Sequence, residues 1–353
     1  MDIRDTPEQA ELRRTARRLA RELGPRNVRD LDDAERRARL AAAVRDAGWL
    51  ALRHGADGAP DASGVEAAII AEALAEPVAD VPFAGPILAA DLARRAGAQP
   101  IDGAVTGFAA DLIDAAVVSG PVTGRPVLAV DTAPQGPIAA YVLVPEGDGY
   151  RLALVRSDGA VADAAPPSRG TDLTRAIRSL PAGVRVQPVP DQTRRLTRDD
   201  LAAWTALGLA LTSADMVGVM RGVLDVSVAY AKERKQYGVA IGSFQAVQHL
   251  LAEARCLLEG ASSAALYPAW AVDELSPDEA RAAGRVAKAY CVRAVRTVCE
   301  TAVQVHGGIG NTWDCIVHVY LRRGLLSSWW FGDDGEQLRH IERTRLGVPY
   351  GLS

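Results

Sequence analysis

Three long helical patterns, residues 197–232, 244–273 and 277–306, constrain this chain most. Apolar residues recur in them at helical spacing, and in places they run right round the helix, which predicts burial on several sides. Patterns of this length need one another as partners, so the C-terminal part is expected to be a helical bundle. Pro277 after Ser276 marks the start of the third helix. Between the first two lies Arg234-Lys-Gln-Tyr-Gly-Val-Ala-Ile-Gly-Ser-Phe-Gln-Ala-Val-Gln248. A turn needs glycines. It does not need an arginine fork and flat rings beside backbone that lacks side chains, a combination that suits a phosphate and a planar ring, although a plain surface connection fits the same residues.

The rest of the chain divides by pattern. Helices are expected at 5–23, 33–47, 64–76 and 85–96. Thr6-Pro7 opens the first and Gly24-Pro25 ends it. From residue 99 to about 192, Gly and Pro punctuate short β-type runs: Ala116–Val118, Val127–Val130, Tyr141–Val144 and Leu152–Val155. The expected organisation is an α+β multidomain chain: an N-terminal helical domain over 1–98, a small middle β-domain over 99–192, and a long four-helix bundle over 193–353.

With 353 residues, 48% of them hydrophobic, the chain can bury large cores. A net charge of −4 gives no electrostatic case for nucleic acid. No run of about 18 or more apolar residues suggests a membrane span, and the charged N-terminus does not read as a secretory signal, so the cytoplasm is the default location. Cys256, Cys291, Cys299 and Cys315 form no CxxC pair and read as buried free thiols rather than a metal site. The arginine-rich first helix reads as a solvated face.

This layout, with Arg234-Lys-Gln-Tyr-Gly and then Gln304-Val-His-Gly-Gly-Ile-Gly310, resembles the acyl-CoA dehydrogenase family. Gly307-Gly-Ile-Gly-Asn-Thr-Trp-Asp followed by His318-Val-Tyr-Leu-Arg-Arg323 looks most like actinobacterial members of sterol or specialised acyl-CoA catabolism. The resemblance implies a flavoprotein oxidoreductase that desaturates an acyl-CoA thioester at the α,β bond, with electron-transfer flavoprotein as a candidate electron acceptor. It also implies FAD at a subunit interface, one subunit holding the flavin ring and its neighbour reaching across to the pyrophosphate and adenosine. The reaching motif here is Arg234, Gln236, Tyr237, Phe244, Gln304, Gly307 and Gly308. Arg234 suits phosphate oxygens, and the glycines let backbone N–H groups approach an anion.

The chain departs from the family's pattern in three ways. The β-domain lacks the Thr-Glu-Pro…Gly-Ser-Asp and Ile-Thr segments that hydrogen-bond the flavin ring, and Ser119-Gly-Pro and Thr123-Gly do not stand in for them. The usual catalytic Glu falls at Phe331, and a phenyl ring abstracts no proton. The alternative base position falls at Gly208. Asp333, Asp334 and Glu336 lie nearest the usual position, Asp333 and Asp215 are the candidate bases, and Asp314 reads as a helix-start acid. His306 and His318 read as packed or hydrogen-bonded, and Trp329 and Trp330 as pocket wall or core.

One reading of this division is a subunit that completes the FAD site of a second, full-length acyl-CoA dehydrogenase chain in a heterotetramer, with the partner supplying the Glu. A homo-dimer or homo-tetramer with an atypical Asp base is one alternative. The same fold repurposed for another acyl-thioester reaction, such as dehydration, is the other.

Overall fold

The computed structural model describes residues 4–55, 57–120, 126–157, 171–180 and 183–346. Thr123, weighed above as a flavin-ring donor, lies outside them. Four helices come first: α1 (Pro7–Leu23), α2 (Ala34–Asp46), α3 (Gly64–Ala75) and α4 (Ala84–Arg95). Their starts follow from side chains that satisfy amides with no intrahelical partner. Thr6 accepts from the Gln9 amide while the Gln9 side chain accepts from Thr6 N–H, and Pro7 follows at the first helical position. Ser63 and Glu66 repeat the arrangement for α3, and Asp33 caps α2. The arginines of α1 are not simply solvated. Arg13 and Arg17 each reach Glu72 at 3.1 Å, and Arg17 and Arg21 reach Glu76, so α1 is held to α3 by charge.

The middle of the chain supplies β1 (Val105–Phe108), β2 (Val127–Thr132), β3 (Ile138–Glu146), β4 (Gly149–Ser157), β5 (Ala176–Leu180) and β6 (Val186–Pro188). They form one sheet in the order β5-β2-β1-β3-β4-β6, antiparallel except where β1 runs beside β3. The expected run at Ala116–Val118 is not a strand; Val117 makes only an isolated bridge to Leu143.

The C-terminal part holds α5 (Arg198–Glu233), a small hairpin of β7 (Lys235–Gln236) and β8 (Val239–Ala240), then α6 (Gln245–Glu274), α7 (Pro277–His306), α8 (Val317–Trp329) and α9 (Asp334–Leu346). The expected four-helix bundle is three helices of 36, 30 and 30 residues with a fourth, α8, of only 13. By length and hydropathy α5 passes as a membrane span, but 94% of its apolar window is buried inside the fold, as in a core helix. Cys291 and Cys299 are buried as expected, whereas Cys315 is half-buried and Cys256 exposed. Short connections make α5, α6 and α7 run alternately up and down. The C-terminal ends of α5 and α7 and the start of α6 therefore share one end of the bundle.

Candidate functional site

That shared end carries the arginine motif. Arg234 caps α5, its N–H donating to Tyr230 O at 2.8 Å. The hairpin that follows turns on Tyr237 (φ +52°) and Gly238 (φ +80°). Two successive residues with positive φ match the right-handed twist of short strands, the type I′ turn. Tyr237 is 94% exposed, and its ring stands edge-on to Phe244 at 6.4 Å. Gln236 is exposed, and the exposed Arg234 guanidinium has no partner among the described residues.

Gly307 and Gly308 end α7 at the same place. Gly307 has φ +64°, and a Cβ on either glycine would meet nothing within 4 Å. Gly310 differs, because its Cβ would fall 2.8 Å from Val303 O, so that glycine serves packing. Exposed Gln304 lies one turn earlier. His306 joins the two motifs: its ring stacks on Tyr230 at 4.3 Å, and Nδ1 donates to Ala302 O at 2.9 Å. Burial pushes its pKa down, which favours the neutral ring. All seven residues of the expected reaching motif thus sit at one exposed end of the bundle, on or next to a docked pair of helix termini.

The two base positions face each other elsewhere, and they are filled. A Cβ added to Gly208 would fall 2.1 Å from Phe331 Cζ, so the ring occupies the hollow the glycine leaves. Phe331 (φ +67°) is 2% exposed and anchored by its N–H to Leu112 O at 2.9 Å. Its ring centroid lies 5.4 Å from Phe108 at the end of β1, 5.3 Å from Trp204 of α5 and 5.8 Å from Trp330. Trp330 is fully buried in this cluster, while Trp329 is 57% exposed.

Lys288 holds the cluster from below. Its fully buried Nζ donates to Trp330 O at 2.7 Å, to Ser327 O, and to Thr212 Oγ1 at 3.1 Å, capping the last carbonyls of α8. Burial pushes its pKa from 10.5 down to about 7. The folded chain therefore releases this proton near pH 7 while the unfolded chain keeps it to about pH 10.5. Its linkage term raises stability as pH climbs through that window and is flat below it. Urea midpoints at pH 7 and pH 9 should show this rise for the native chain, and Lys288→Met should remove it.

The two carboxylates weighed as bases have other tasks. Asp215 is buried and accepts from Arg323 Nε and Nη2 at 3.0 and 2.7 Å and from Ser327 Oγ at 2.6 Å, with Arg175 at 3.4 Å. Burial opposes its charge, but Arg175 and Arg323 prevail and hold its pKa below the usual carboxylate range. A carboxylate so held is a poor proton acceptor. Asp333 caps α9, its Oδ1 accepting from Glu336 N–H at 2.8 Å. Asp314, exposed in the turn before α8, lies 3.7 Å from Arg29.

Between the sheet and the bundle, Asp131, Arg175, Asp215, Arg323 and Trp330 line a cavity of about 10 Å³, room for about one water. Asp131 Oδ2 accepts from the Phe83 and Gly85 amides at 3.0 Å, Oδ1 has no partner among the described residues, and burial pushes this carboxyl's pKa up. Arg175, Arg323 and Asp131 were not singled out from the sequence. The adjacent Arg322 and Arg323 were its only visible sign.

Residues 206–346 match the model of the acyl-CoA dehydrogenase C-terminal domain. Acyl-CoA dehydrogenase IpdE2 of Mycobacterium tuberculosis is 30% identical over 277 residues, covering 78% of this chain and 76% of that protein. Acyl-CoA dehydrogenase FadE34 of the same organism is 33% identical over 249 residues, 68% of this chain, and the chain spans only 34% of that relative's length. Among solved structures, the ChsE4-ChsE5 complex from Mycobacterium tuberculosis matches in fold with a TM-score of 0.74 at 23% identity, over 99% of this chain and 100% of the matched one. The match over the bundle, joined to a relative shared for three quarters of its length, means that the chain belongs to the acyl-CoA dehydrogenase family, oxidoreductases that act on CH–CH bonds.

Proposed function

We propose that this chain is a subunit of an FAD-dependent acyl-CoA dehydrogenase, that its exposed bundle end completes the flavin site of a neighbouring full-length chain, and that the neighbour supplies the Glu base. The observation that carries the reading is the contrast between its two ends. Where a base would stand, Phe331 fills the hollow of Gly208. Where a pyrophosphate would be held, Gly307 and Gly308 are open and Arg234 has no partner among the described residues.

The same contrast tests the cofactor. The cavity of about 10 Å³ between sheet and bundle beside Trp330 is too small for a three-ring flavin. The bundle end does fit a dinucleotide's phosphates. Arg234 offers a charged fork, the backbone at Gly307 and Gly308 admits close approach of an anion, and Tyr237 and Phe244 present faces for the adenosine. Gln236 and Gln304 flank them with amide donors. When bound, FAD supplies the acceptor for the β-hydride of an acyl-CoA thioester.

Neither carboxylate weighed for the homo-oligomeric alternative is free, since Asp215 is ion-paired and Asp333 is a helix cap. A pairing of two different chains is supported by the likeness to the ChsE4-ChsE5 complex. The proposed assembly is a cytoplasmic heterotetramer that acts on a bulky, sterol-type acyl-CoA and passes electrons to an electron-transfer flavoprotein.

Expression alone and together with a full-length dehydrogenase chain encoded beside it tests this. Alone, the chain should hold no flavin; together, the complex should hold half an FAD per chain. A yellow lone chain with one FAD each that oxidises an acyl-CoA refutes the proposal. In the complex, Arg234→Ala should weaken FAD retention by roughly 1.5–3 kcal/mol, the worth of a charge-assisted bond, read as flavin lost on dialysis.

A further inference from the structure

A hollow of about 280 Å³ opens on the side of α5 away from the aromatic cluster, between α1, α3, α5 and α6. Its floor exists because four converging positions are alanine: Ala68, Ala214, Ala265 and Ala269. The indole of Trp270, stacked on Tyr267 at 5.8 Å, makes one wall. Ala214 and Val217 of α5 line this hollow, whereas Leu211, Thr212 and Asp215 line the small cavity by Trp330, so the two spaces lie on different faces of one helix. A well-packed core leaves few voids larger than a water, whereas an apolar cavity of about 150 Å³ already takes a benzene ring.

The mouth is polar, and its charged side chains, Arg4, Asp5, Arg13 and Glu72, are all engaged. Arg13 is engaged by Asp5 at 2.7 and 3.1 Å and by Glu72 at 3.1 Å. Glu72 in turn takes Arg13, Arg17 and Arg221. An ionic ligand group would enter here unpaired and partly desolvated, at a cost. A hydroxyl or carbonyl would not. The hydroxyl of Ser262, which lines the hollow, donates to Leu258 O at 2.8 Å and accepts from Arg221 Nη2 at 3.5 Å, which leaves one lone pair for a ligand O–H.

We infer that this hollow is a binding site, separate from the flavin-completing end, for an uncharged amphiphile of about ten heavy atoms: a hydrocarbon body over the alanine floor and one hydroxyl or carbonyl at the Ser262 rim.

The probe is 1-nonanol, with sodium nonanoate as its charged counterpart, added to the protein in its assembled state. The melting temperature should rise with 1-nonanol concentration as mass action requires, and nonanoate should be at least about tenfold weaker because its charge finds no partner. Ala265→Leu and, independently, Ala68→Leu fill the floor and should abolish the rise while leaving the ligand-free melting temperature equal or higher. Trp270→Phe should remove the accompanying change in tryptophan emission. No rise in the native protein, or an equal rise in the filled variants, overturns the site. Equal or tighter binding of nonanoate overturns the uncharged head group. Should one filled variant not fold, the other decides.

Discussion

Phe331→Ala should destabilise the chain by about 3–5 kcal/mol, the range for removing a large buried aromatic and leaving its cavity. The ring touches three other buried rings and seats against Gly208, so no side chain nearby can close the gap without leaving its own packing. Gly208→Ala is the opposite error. Its Cβ would lie 2.1 Å from Phe331 Cζ, and forced repacking of this kind costs about 1–3 kcal/mol. The two changes act on one contact, so they should not add. Gly208→Leu combined with Phe331→Ala should recover part of the loss, because the leucine grows into the space the ring leaves. Urea unfolding of the single and double variants reads this directly; costs that simply sum would separate the two positions.

The second large effect belongs to the ionic group that joins the sheet to the bundle. Asp215→Ala should cost about 3–5 kcal/mol, since it leaves two buried guanidinium groups short of their carboxylate. Arg323 also donates to Ala79 O and to Thr174 Oγ1, and Arg175 to Asp172 and to Arg323 O, so neither can swing out to water without breaking other bonds. The pH dependence has a definite sign. The folded pKa of Asp215 is depressed, so the folded state binds this proton later than the unfolded chain does as pH falls. Its contribution is full above the unfolded carboxylate pKa of about 4 and is lost as pH falls through the folded value. Asp215→Asn should therefore flatten the acid limb of the stability curve as well as lower the curve.

The helices were legible in the sequence because their punctuation is local. Thr6-Pro7, Ser63 and Ser276-Pro277 sit where caps must sit, and the expected boundaries agree with the structure to about one residue for the long helices and to one or two for α1 to α4. Strands were less legible. β5 and β6 are short edge strands, and β1 runs through Gly107, so none shows a clean alternation. The bundle-end motif stood out because its residues fall in two short, chemically distinctive runs, 234–244 and 304–308. The filled base position could be read only as two missing carboxylates. That Phe331 and Gly208 fit one another, across more than a hundred residues, depends on how α8 packs on α5, and no local pattern records it. The partners of Asp215 stayed hidden for the same reason: Arg175 approaches from the sheet and Arg323 from α8.

The fit of Phe331 to Gly208 also bears on how such a chain can change over generations. A glutamate arriving at 208 would drive its stem into the phenyl ring. A glutamate arriving at 331 would bury a carboxylate among the rings of Phe108, Trp204 and Trp330. Either single step back toward a proton-abstracting residue is selected against on stability before any activity can be rewarded. The contact therefore works as a ratchet, making an acid hard to install at either position.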